Sequence, residues 1–322
     1  MYREFIADLE TPVSTYLKLH DGATSSFLLE TVEGGERLGR YSFVGSDPAD
    51  TIRVGEGCPH SGDPLTVLES FLKQSRLVIP RGVKLPEFTG GAVGYVGYDC
   101  VRFFEPRTAG ALTSQTDVLH IPDAIFLIAN TVVVFDHVRH TIKIVGHASV
   151  APTASVAEID TAYATACADI EGVLARLSRP LSFRLQAPPS SPIGKTQAAG
   201  GGAAAAHPSS PTALPVPLAV ASPTRSSLSE PQQTFDWDAA SNMGRAGYEG
   251  AVRSLQEHVV NGNIIQAVPS HRVSRALPPG VSAFDVYRQL RVVNPSPYMF
   301  FLHLSDDFQV LKPTTGGPRP RA

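Results

Sequence analysis

Residues 27–45 read FLLETVEGGERLGRYSFVG, two apolar runs separated by a charged, glycine-bearing stretch. The pattern predicts strands over 25–32 and 40–44, with Glu33, Gly34 and Gly35 as a turn, so the two pair antiparallel. Side chains alternate faces along a strand. Leu29 and Thr31 therefore share one face and Leu28 and Glu30 the other, which sets a hydroxyl beside apolar residues at a strand end.

Working outward, 124–135 and 141–145 flank a polar turn as a second antiparallel pair, while 65–74 and 154–177 carry helical spacing. The longer helix stops at Ser178, Arg179 and Pro180. Further on, 248–261 reads as an amphipathic helix with Val252, Leu255 and Val259 on one side, ending at Gly262. A strand over 264–273, a helix over 283–291 and a strand over 298–304 follow. Helices mixed with antiparallel strands predict an α+β fold of layered sheets with outer helices, its second domain incomplete.

The two halves are joined by 187–233, which holds nine of the 27 prolines and no aromatic residue. Such a segment cannot bury enough apolar surface to offset its ordering entropy and reads as a disordered linker. Residues 311–322 lack periodicity and read as a tail. With 27 basic and 30 acidic side chains, the net charge of -3 excludes strong attraction to nucleic acid or a membrane surface. Cys58, Cys100 and Cys167 form no CxxC pair, which argues against a disulfide framework or structural zinc and for a reducing compartment. The acidic N-terminus is unlike a signal peptide, and no apolar run is long enough to span a bilayer. A soluble, cytoplasmic protein is expected.

Few residues invite chemistry directly. Gly90, Gly91, Gly94 and Gly97 are not spaced as a phosphate loop and read as a strand where glycine admits close backbone approach. His137, His140 and His147 lack the spacing of a metal set and read as solvated turn residues. Asp306 and Asp307, being adjacent, do not converge on one reacting centre. The segment 294–300, NPSPYMF, fixes φ at two prolines and removes two backbone donors, leaving carbonyls, Tyr298 and Met299 for a ligand or a neighbouring strand.

In order along the chain, FLLETVEGGERLGRYSFVG, GGAVGYVGYDCVRFFE, NGNIIQAVPSHRVSR and VNPSPYMFF resemble component I of anthranilate synthase, in a form similar to fungal ones. The resemblance covers roughly 1–180, the family's regulatory domain, and 237–310, the start of its chorismate-binding domain. It implies conversion of chorismate to anthranilate with Mg²⁺ and ammonia from a glutamine amidotransferase partner, under feedback inhibition by L-tryptophan. Carried over by motif, the tryptophan site includes Thr31, Pro297, Tyr298 and Met299, with Glu30 ranked lower because alternation turns it from Thr31. Asn263 stands where the family has Asp, and His271 where it has Gln. After DFQV at 307–310, the family's region of chorismate-binding residues and Mg²⁺-binding carboxylates has no counterpart. No catalytic and no metal-binding residue is therefore assigned, and no synthase activity is expected. The strands after the linker are expected to leave an unpaired sheet edge. A non-catalytic tryptophan- or partner-binding module, a relative of aminodeoxychorismate synthase, and a damaged reading frame without function remain open.

Overall fold

Each strand among the described residues finds an antiparallel neighbour. The computed structural model describes residues 1–6, 8–32, 39–112, 117–181, 236–306 and 308–313. The 187–233 linker lies outside them, as does the tail beyond residue 313. The chain divides into two compact units, Met1–Pro189 with Val281–Ala322, and Ser190–Gly280.

The first unit holds the strands β1 (Tyr2–Ile6), β2 (Ser26–Thr31), β3 (Tyr41–Ser46), β4 (Asp50–Val54), β5 (Gly91–Val96), β6 (Ala124–Ala129), β7 (Thr131–Asp136), β8 (Thr141–Gly146), β9 (Tyr298–Ser305) and β10 (Phe308–Pro313). Its helices are α1 (Pro12–His20), α2 (Pro64–Leu72), the short α3 (Val101–Phe104) and α4 (Ala109–Leu112), the long α5 (Val156–Leu177), and α8 (Ala283–Val293). Three of these starts are capped by a side chain and its third neighbour: Thr11 with Ser14, Ser155 with Glu158, and Ser282 with Asp285.

Seven strands form one sheet in the order β1-β8-β7-β3-β2-β9-β10, and β4-β6-β5 form a second. Phe27, Val132, Val134, Val145, Leu302 and Leu304 of the large sheet pack against Val93, Ile125 and Leu127 of the small one. The large sheet's opposite face, with Leu28, Val44, Val133, Phe135 and Phe301, packs against α1, α5 and α8 through Tyr16, Leu19, Ile170, Leu177, Phe284 and Tyr287. Helix α2 covers the small sheet through Val67, Leu68 and Phe71. The order is helix, sheet, sheet, helix: α+β, with layered antiparallel sheets and outer helices.

Four expectations change. The apolar run 124–135 is not one strand, because the chain turns at exposed Asn130 and passes from the small sheet to the large one. Asn suits a turn, and a run apolar on both faces carries no period to mark the crossing. The segment 264–273 is not a strand: it finds no partner to complete a ladder beyond the single Ser241–Val273 bridge, and Ile265 is 98% exposed. The unpaired edge expected of the strands after the linker falls on β10 and not on the 298–304 strand, since β9 lies between β2 and β10. Finally, β10 runs to Pro313, into the stretch read as tail, because β9 offers it a partner.

Among its described residues the second unit has α6 (Trp237–Ala240) and α7 (Gly244–Val260). Val252, Leu255 and Val259, the apolar side of α7, line an open groove of about 610 Å³ with Tyr248, Ala267 and Pro269. Among the described residues no helix is long and apolar enough to cross a membrane.

Candidate functional site

Strand β2 ends where β9 begins. Their register sets Thr31 opposite Tyr298 and Glu30 opposite Met299, and the Val32 amide donates to the Pro297 carbonyl at 3.1 Å. The structure thus brings all five sequence-predicted residues to one sheet end, although they come from distant parts of the chain. Alternation divides them between faces: Thr31 follows Phe27 and Leu29 toward the small sheet, while Glu30 follows Leu28 toward the helices.

The hydroxyl of Thr31 donates to the Tyr41 carbonyl at 2.9 Å, and its amide donates to Ser42 Oγ at 3.0 Å. Its oxygen lone pairs remain able to accept from a ligand. Tyr298 is 50% exposed at the strand's first residue, whereas Met299 is buried beneath it. One carbonyl of the proline segment, that of Pro297, is taken by Val32, so fewer of these acceptors are open than the sequence suggests.

Glu30 is held on the helix side of β2. It is only 4% exposed; Tyr287 Oη donates to its Oε2 at 2.9 Å and Arg291 Nη2 to its Oε1 at 2.8 Å. Arg291 Nε lies 2.8 Å from Oε2 without hydrogen-bond alignment, so that contact is one of charge alone. Burial pushes the Glu30 carboxyl above its ordinary value, against the pull of Arg291 and Tyr287. Burial, and then the Glu30 charge, raise the Tyr287 phenol, which stays a neutral donor. Tyr287 and Arg291, one turn apart on α8, clamp that helix to β2 through the carboxylate.

A second network lies on the other side of β2. Ser42 Oγ is 2.7 Å from His137 Nε2, and the His137 amide donates to the Arg40 carbonyl at 2.9 Å. Arg40 grips Asp136 through two bonds, at 3.1 and 2.7 Å. Burial alone would raise the Asp136 carboxyl, but Arg40 and the backbone amides of Arg139 and Val138 hold it below its ordinary value. Burial lowers His137, with Asp136 opposing. The reading of the three histidines as solvated fails for two of them. His137 is half-buried on Ser42, and half-buried His147 sits 3.1 Å from the Asn130 carbonyl; only His140 is an exposed turn residue. Gly94 fits its expectation, since a Cβ there would stand 1.8 Å from the Ile125 carbonyl oxygen.

Among the described residues, no group of three or more His, Cys, Asp or Glu side chains could hold a metal ion. Sequence reasoning missed Ser42, Tyr287 and Arg291 and misread His137, because their contacts are with partners far away in the chain.

The family model described as chorismate binding enzyme matches residues 24–311, most of the chain and both strands of this site. The chain belongs to the chorismate-binding enzyme family. Among members, it is 35% identical over 311 residues to a probable anthranilate synthase component 1 of Schizosaccharomyces pombe, covering 97% of this chain and 52% of that protein. It is 35% identical over 306 residues to anthranilate synthase component 1 of Saccharomyces cerevisiae (94% and 50%), and 33% identical over 321 residues to that of Pseudomonas putida (94% and 53%). The chain spans about half the length of the curated relatives it matches. Its fold is similar to the crystal structure of anthranilate synthase component I from Streptococcus pneumoniae TIGR4, with a TM-score of 0.51 and 20% identity, covering 96% of this chain and 56% of that one. For this chorismate-binding enzyme family chain, the likeness supports the sandwich architecture.

Proposed function

We propose that this chain is the amino-acid-sensing part of an anthranilate synthase large subunit, with L-tryptophan as the ligand at the shared end of β2 and β9. The observation that carries this reading is the register that sets Thr31 opposite Tyr298. An amino acid needs acceptors for its ammonium, donors for its carboxylate and an apolar wall for its ring. The Thr31 oxygen and the carbonyls of the proline segment supply the first, and the half-exposed Tyr298 ring contributes to the last. The site joins β2, early in the chain, to β9, late in it. A ligand there stiffens that junction, which is how binding would reach chemistry elsewhere in a complete subunit.

In that setting the subunit acts on chorismate and draws ammonia from a glutamine amidotransferase partner. The 322-residue chain is expected to yield no anthranilate fluorescence from chorismate, Mg²⁺ and ammonium, and turnover in that assay would show that it carries the chemistry itself. Titration calorimetry with L-tryptophan tests the ligand. Heat of binding is expected for the parent and not for Thr31→Arg, whose long cation fills the space beside Tyr298; absence of heat in the parent would refute the reading.

A further inference from the structure

The buried Ser42 hydroxyl connects the end of β2 to an ionisable ring. Ser42 is fully buried, accepts from the Thr31 amide at 3.0 Å, and lies 2.7 Å from His137 Nε2. With one lone pair of Ser42 Oγ taken by the Thr31 amide, its own proton is available to a neutral His137 that bears its hydrogen on Nδ1. Protonated His137 has no acceptor to offer. It becomes a donor, Ser42 Oγ receives from both sides, and the serine proton is turned away from its partner. The Thr31 amide then donates to a reoriented hydroxyl, which shifts the strand end that faces Tyr298.

We infer that His137, acting through Ser42, is a positioning residue for the Thr31 strand end and makes ligand binding there dependent on protonation. The inference rests on the tryptophan reading for the ligand, but not for the hydrogen-bond relay. Charged and titratable neighbours come from each element around the ring. Asp136 on β7 favours the imidazolium; His140 in the following turn disfavours it, and Arg40, just before β3, directs its charge into Asp136. Burial is the largest influence and keeps the ring neutral to lower pH than an ordinary histidine. The Phe135 ring stacks on it, with centroids 6.2 Å apart, and fixes its plane. Coupling of this kind typically changes affinity by at least about fivefold.

Two measurements on the whole chain decide the matter. The first needs no ligand. With ¹⁵N-threonine labelling, the Thr31 amide, assigned by its loss in Thr31→Ser, is expected to shift with pH along the titration of the His137 ring. In His137→Gln, whose side-chain oxygen still accepts from Ser42 but cannot titrate, that shift is expected to vanish. A Thr31 amide that ignores the ring in the parent, or titrates unchanged in His137→Gln, overturns the relay. The second is calorimetry with L-tryptophan at about pH 7.5 and at the acid end of the His137 titration that the first measurement locates. The parent is expected to weaken about fivefold or more on acidification, and His137→Gln to change less than about twofold. Equal weakening in both overturns the pH coupling. If the parent binds no tryptophan at either pH, the ligand reading fails and the amide titration alone judges the relay.

Discussion

Replacing Arg291 by methionine removes the positive partner of a carboxylate that is 4% exposed. Glu30 keeps a single donor, the Tyr287 hydroxyl at 2.9 Å. A buried carboxylate left this way takes up a proton instead of remaining charged. Protonating at about pH 7 a group whose ordinary value is 4.5 costs about 3.4 kcal/mol, at about 1.36 kcal/mol per pH unit. That is the ceiling of the electrostatic loss. Burial already raises Glu30 in the parent, so the expected difference is about 2–3 kcal/mol, somewhat below that of typical severed buried pairs. In a unit of this size it corresponds to a fall in Tm of about 5–10 °C. The sign with pH is defined. A carboxyl raised in the folded state contributes stability that is fully present below its unfolded value and lost as pH rises through the folded value, so the deficit of R291M shrinks toward about pH 4.5. Far-UV circular dichroism melts of the parent, R291M, E30Q and E30Q/R291M across about pH 4.5–7.5 measure this. With Gln at 30, the arginine is expected to matter by less than about 1 kcal/mol. A melt of R291M within about 2 °C of the parent at pH 7, or a deficit that does not shrink in acid, refutes the reasoning.

Two further outcomes follow from packing and burial. Gly94→Ala drives a Cβ to 1.8 Å from the Ile125 carbonyl and breaks the β5–β6 ladder; a loss of about 3 kcal/mol or more is expected in thermal melts, and a loss under about 1 kcal/mol would show that the sheets shift freely. His20 and His303, with ring centroids 4.6 Å apart, are both lowered, first by burial, so the stability they confer is present above about pH 6.5 and lost as pH falls through their folded values. His303→Asn is therefore expected to give a shallower acid limb in pH-dependent melts, and an unchanged limb would place the acid sensitivity elsewhere.

The sequence disclosed the elements whose pattern is local. Thr141–Gly146 and Tyr298–Ser305 are apolar runs between turn residues, and Val156–Leu177 is a long helical pattern with a Ser-Arg-Pro stop. The sequence was silent where the deciding fact is a partner. Nothing in AIFLIANTVVVFD says that Asn130 divides two sheets, because both halves are apolar on both faces. Residues 264–273 have strand-forming side chains but pair with a neighbour only at the Ser241–Val273 bridge. At the candidate site, alternation put Glu30 on the face opposite Thr31, and the motif resemblance grouped Thr31 with Pro297–Met299. The Glu30–Tyr287 bond, by contrast, spans 257 residues and follows from no spacing rule, and the Ser42–His137 contact spans 95.

The position of β9 has a consequence for how the protein is made. Until β9 arrives, β2 is an edge strand with Phe27 and Leu29 toward the inter-sheet core and a full row of unpaired amides and carbonyls. Ribosomes add about 5–20 residues per second, so the stretch from Thr31 to Tyr298 leaves that edge waiting for tens of seconds. During this interval the nascent chain presents a template for pairing with a second nascent chain. Slow codons before Tyr298 would lengthen that exposure without changing a single residue of the folded protein.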